Sequence, residues 1–220
     1  MGILRGMTEA EWLTCSDPLP MLSFLFGRPV DECSTEDFAS ARKKLLLDCA
    51  CYSRLGRLVP LYGRLWQAHA EKAAEGEYPK ELLGPEGEDA DCELLWALNR
   101  FNEEEAERLR ALLDVWTLCY NRDGTAPPFH PERAAQAALV RDIYGNPFRP
   151  VTLDPSCAAP AVTKVACAIY EANAFDYCMD RLIEALQEAG CSSKEILDHC
   201  REPGPHVRGC WVVDLLLGKL

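Results

Sequence analysis

Apolar residues recur at helical spacing along nearly the whole chain, and the alternation of a half-buried strand is almost absent. This periodicity predicts an all-α fold. The boundaries carry the matching chemistry. Thr8-Glu9-Ala10-Glu11 has the pattern of a capping box, in which a hydroxyl and a carboxylate satisfy the first free backbone amides of a helix. Asp17-Pro18 is an N-cap followed by proline at the first turn, and the helix it opens should stop at Gly27. A further helix is expected from Ser34 through ARKKLLLDCACYSRL to Gly56, and another from Pro60 to Gly76.

Residues 76–91 are rich in proline, glycine and acids and read as an exposed loop, followed by helical spacing from Cys92 to Tyr120 with a break near Asn102. NRDGTAPPFHP (121–131) reads as a linker. It divides a single helical domain, residues 1–220, into an N-terminal part, 1–120, and a C-terminal part, 132–220. In the second part Pro131 can open a helix to Gly145, 146–156 is proline-punctuated coil, and 159–190 reads as a helical hairpin. Ser192 or Ser193 caps SKEILDHCR, and Gly204-Pro205 is expected to start a terminal helix, HVRGCWVVDLLLG. That segment is apolar nearly all round, so it should be buried in a compact multi-helix bundle of helical hairpins.

The net charge of −12 disfavours general binding to phosphate backbones. Six bases and one acid fall in residues 42–64, and fourteen acids with five bases in 71–114. Two solvated faces that attract each other account for this split, with a basic docking surface as the alternative. No run approaches the length of a membrane span, and the N-terminus lacks the pattern of a secretion signal, so a soluble cytoplasmic protein is expected. Many of the twelve cysteines sit among apolar neighbours, as in LLLDCACY and KVACAIY, and read as reduced, buried small hydrophobes.

Glycine-rich phosphate loops, a GxSxG elbow, HExxH and calcium-loop patterns are all missing. No catalytic residue is assigned. The densest chemistry is DHCREPGPHVRGC (198–210), where Cys191, His199, Cys200, His206 and Cys210 are candidate zinc ligands. His206 and Cys210 would share a face of the expected terminal helix. Adjacent His199 and Cys200 diverge by about 100° on a helix, so only one can face a common centre. Packing is the plainer account of this cluster, and a nucleophilic Cys210 beside His206 is a third one. In RDIYGNPFRPV (141–151), Tyr144 and Phe148 should pin the loop to the core, while Arg141 and Arg149 are candidate contacts for a carboxylate ligand or partner, with a structural tie as the plainer account.

Three stretches, TEAEWLTCSDPLPMLSFL (8–25), RDIYGNPFRPVTLDPS (141–156) and AGCSSKEILDHCREPGPHVRGCWVVDLLLGK (189–219), together resemble a large set of uncharacterised bacterial paralogues abundant in planctomycetes. Residues 42–54 echo that family's basic, cysteine-containing second segment, and 60–130 diverge. The resemblance implies small helical proteins and a native start at Met7, and it brings no activity, substrate or catalytic residue. The expectation is therefore a non-enzymatic protein-interaction or scaffold module with a protein partner and no cofactor. A zinc protein using the C-terminal Cys/His cluster is the first alternative, and a cysteine-dependent enzyme or redox sensor the second.

Overall fold

A computed structural model describes residues 6–27, 41–54, 67–68, 70–72, 74–76 and 131–219. Among these residues every regular element is an α-helix, as the periodicity requires. The helix cap expected at Ser34, the loop at 77–91, the helical spacing of 92–120 and the linker at 121–130 lie outside the described residues. Contacts divide the chain into two compact units, Met1–Met7 with Asp17–Gln136, and Thr8–Ser16 with Ala137–Leu220. The division falls at Gln136/Ala137, inside a helix rather than at the 121–131 linker. The segment Thr8–Ser16 belongs with the C-terminal unit.

In the first unit, α2 (Pro18–Phe26) follows α1 (Glu9–Thr14) of the other. Asp17 accepts the amide of Leu19 at 3.1 Å, Pro18 supplies a helix-ready φ, and Gly27 ends the helix at φ 68°. Met21 and Leu22 are buried. Helix α3 (Ala41–Ser53) buries Leu46, Leu47, Cys49 and Ala50. Its bases are paired: Lys44 with Asp48 at 2.8 Å, and Arg42 with Glu75 at 3.2 Å. The Arg42–Glu75 pair joins the basic segment to the first residues of the acidic one. Arg133 and Asp17 pair at 3.1 Å in the same unit.

The second unit is built on α4 (Pro131–Tyr144, from Ala137 on), α5 (Pro160–Glu171), α6 (Phe175–Glu188), α7 (Lys194–Arg201) and α8 (Trp211–Leu217). Helices α5 and α6 form the expected hairpin, closed by the edge-on contact of Tyr170 and Phe175. Helix α6 packs on α7, α7 on α8, and α8 back on α5, so the four helices make a closed circuit. Val162, Ala166 and Ile169, Met179, Leu182 and Leu186, Ile196 and Cys200, and Val212, Val213 and Leu216 fill it. On α5, α6 and α7 these recur at three- and four-residue steps, the spacing that puts side chains on one helix face.

Helix α8 is buried along Val212–Leu216, as its all-round apolar sequence predicts, but it is shorter than expected. The segment 203–210 is not helical. Gly204 and Gly209 adopt φ of 92° and 97°, outside the right-handed helical region, and Pro203 and Pro205 lack the amides a helix needs. The terminal helix begins at Trp211, with Cys210 as its N-cap residue.

The short α1 docks within this unit. Thr8 and Glu11 form both halves of the capping box, and Trp12 is fully buried. Arg141 Nη1 donates to the carbonyls of Trp12 and Cys15 at 3.2 and 2.9 Å, satisfying acceptors that the end of α1 leaves free. Asn146 Nδ2 donates to Glu9 Oε1 at 2.9 Å, and Arg149 pairs with the same carboxylate. Both guanidiniums are therefore engaged inside the chain. These contacts are those of a structural tie between the 141–149 segment and α1. The coil 146–156 contains turns and no strand.

Candidate metal centre

Asp142 lies on the last turn of α4, three residues after Leu139 and one before Ile143, both fully buried. An acid at such a position is desolvated and needs compensating partners. Here they come from the C-terminal segment. His206 Nδ1 is 3.0 Å from Asp142 Oδ1, His199 Nε2 is 3.2 Å from the same oxygen, and the Val207 amide donates to Oδ2 at 3.0 Å. His199 Nε2 is also 3.2 Å from Cys210 Sγ. One ligand-type atom from each of Asp142, His199, His206 and Cys210 lies within 4.8 Å of the other three. Three of the four are buried, and His199 is only 11% exposed at its side chain.

The local fold aims each group. His199 follows Ile196 by three residues on α7, while Cys200, a step of about 100° on, turns into the core. His206 and Cys210 are brought in by the 202–210 turn, not by a shared helix face. His206 Nε2 faces the Glu202 carbonyl at 3.1 Å. A carbonyl and a carboxylate both accept, so Nε2–H donates to Glu202 and Nδ1–H to Asp142, and a bound cation would take the place of the Nδ1 proton. A histidine whose second nitrogen is fixed on a backbone carbonyl is the usual arrangement of a metal-ligating imidazole. Trp211 packs against the His199 ring at 5.2 Å, and the two imidazoles meet nearly edge-on at 5.0 Å.

Electrostatics explain why the carboxylate survives burial. Desolvation pushes the Asp142 carboxyl up, but hydrogen bonds and charge from His199 and His206 outweigh it and hold it below the ordinary carboxylate value. The thiols go the other way. Burial, then the Asp142 charge, pushes Cys200 up to about 12. Burial and the same charge also raise Cys210 far above an ordinary thiol, against a small opposing pull from the Val213 and Val212 amides. Burial and the Asp142 charge thus both favour the protonated form of the two thiols. Cys210, His199 and Asp142 do not form a relay. A relay places thiol and carboxylate on opposite imidazole nitrogens, and here both approach His199 Nε2.

Of the five cysteines and histidines expected as ligands, His199, His206 and Cys210 converge. Cys200 lies outside the set of converging atoms. Cys191 is corrected: it is disulfide-bonded to Cys157 and has no thiolate to offer while that bond holds. The fourth member, Asp142, was missed by sequence reasoning. Its signal is an acid on the buried stripe of LVRDIY, three residues after Leu139. Comparisons with family models, curated proteins and solved structures returned no match, so the site stands on its own geometry. Among the described residues no helix is long and apolar enough to cross a membrane.

Proposed function

We propose that this protein binds one divalent transition-metal cation, zinc by preference, through Asp142 Oδ1, His199 Nε2, His206 Nδ1 and Cys210 Sγ. The observation that carries this reading is the convergence of four ligand-type atoms within 4.8 Å in a buried site. Zinc bond lengths put neighbouring ligand atoms about 3.4–3.6 Å apart in a tetrahedron. The closest pairs here, at 3.0 and 3.2 Å, sit slightly inside that spacing. A mixed imidazole, thiolate and carboxylate set suits zinc and its near neighbours, whereas magnesium and calcium want oxygen alone. Four protein ligands use every tetrahedral position and leave none for substrate, which is the pattern of structural rather than catalytic zinc. The cation then acts as a clamp joining α4, α7 and the 202–210 turn. A clamped helical unit with no open ligand position suits a protein-interaction or scaffold module better than an enzyme.

Protein purified without a histidine tag should carry about one equivalent of zinc by elemental analysis, and cobalt(II) exchanged into it should give a tetrahedral, thiolate-charge-transfer spectrum. Cys210→Ser should abolish the charge-transfer band. Less than about 0.1 equivalent of any transition metal, before or after reconstitution, overturns the reading, because structural zinc binds tightly.

A further inference from the structure

We propose that the Cys157–Cys191 disulfide sets the affinity of this centre for its cation, so that thiol–disulfide exchange switches metal binding. The proposal rests on the metal reading above and adds a regulator to it. Its basis is where the bond sits. Cys157 occupies the turn that leads into α5, its amide bonded to the Asp154 carbonyl at 2.9 Å. Cys191 sits between α6 and α7, its amide on the Leu186 carbonyl at 2.9 Å, two residues before Ser193, whose hydroxyl caps α7. The bond therefore fastens the foot of α7 to the foot of α5 across 34 residues of chain.

Helix α7 carries His199, and α8, whose N-cap residue is Cys210, packs against α5. Two ligands 3.2 Å apart are thus mounted on helices that both refer back to α5, one by packing and the other through the disulfide. Without the bond, α7 keeps the apolar anchors Ile196 and Cys200 but loses its covalent foot. The ligand set must then be ordered at the expense of binding, which weakens it.

The exchange itself is balanced. A thiolate of an external dithiol attacks one sulfur, in the first instance Cys191, the less buried of the two. A mixed disulfide forms as the Cys157–Cys191 bond breaks. The second thiol of the reductant then displaces the Cys191 sulfur. The reductant leaves as its own disulfide, and two electrons and two protons end on Cys157 and Cys191 as thiols. By linkage the coupling is reciprocal, so bound metal must protect the bond by the factor by which the bond strengthens metal binding.

Zinc affinity should be measured by chelator competition on the disulfide form, on wild type kept reduced by a phosphine, and on Cys157→Ser/Cys191→Ser, with helicity followed by circular dichroism. Both forms lacking the bond should still take one equivalent, with at least tenfold weaker affinity. Affinities equal within twofold overturn the switch and leave the metal site standing, whereas no zinc in any form overturns both. Should the forms lacking the bond fail to fold, the reciprocal measurement decides. In glutathione buffers of fixed ratio, saturating zinc should shift the thiol–disulfide equilibrium at least tenfold towards the disulfide, and an unchanged equilibrium overturns the proposal.

Discussion

Arg141 and Asp142 are neighbours with separate duties: the guanidinium holds two carbonyls of the α1 segment, and the carboxylate holds two histidines. The residue after their helix, Gly145, has φ 69°, and a Cβ added there would lie 3.2 Å from Trp211 Cγ, the ring that packs on His199. Gly190 has a similar φ of 77° with nothing within 4 Å. Gly190→Ala should therefore lose only the left-handed backbone penalty, about 1 kcal/mol. Gly145→Ala should lose roughly 1–2 kcal/mol more by pushing on the indole, and urea unfolding of the pair will show whether the excess exists. A pH effect belongs to Glu9. Hydrogen bonds from Arg149, then Asn146, hold its carboxyl below the ordinary 4.5. A depressed carboxylate contributes stability that is present above the unfolded value and lost as pH falls through the folded one. Protection factors of the α1 amides, corrected for the intrinsic exchange rate, should fall as the pH drops below about 4.5, and in Glu9→Gln they should already be low across that window. At this scale the sequence revealed donor types but not directions. His206 and Cys210 are legible as ligands, but on a terminal helix that starts only at Trp211, and Asp142 is legible only as a charge.

Among the elements, α7 is the one on which the site depends most. Ser193→Ala removes the side-chain cap on the Ile196 amide, and about 1 kcal/mol of stability should go with it. Ile196→Ala empties a fully buried position in the circuit of four helices and should cost about 2–5 kcal/mol in denaturant titration. The helices themselves were legible because helix formation is local: Thr8, Asp17, Ser193 and Gly27 each announce a boundary through their own side chain or its absence. The disulfide was not legible. Pairing Cys157 with Cys191 depends on the α5–α6 hairpin folding back on itself, and no spacing rule among twelve cysteines reports that.

For the molecule as a whole, a bound cation appears in the unfolding equilibrium as ligand binding to the native state. At a free zinc concentration one hundred times the dissociation constant the native state should gain about 2.7 kcal/mol. Adding a chelator should lower the Tm of wild type and leave that of Cys210→Ser unchanged, and a Tm insensitive to chelator in both would remove the clamp. The all-α class was readable from periodicity across the chain, whereas the partition into two units was not. It depends on hydrogen bonds joining residues 126 to 137 positions apart, the links from Arg141 and Asn146 to the α1 segment. Those links carry a consequence for synthesis. A ribosome delivers α1 well before its partners, with 126 residues separating Cys15 from Arg141. Until Arg141 has been made, the Trp12 and Cys15 carbonyls lack the guanidinium that binds them, so the C-terminal unit can close only after that length of chain.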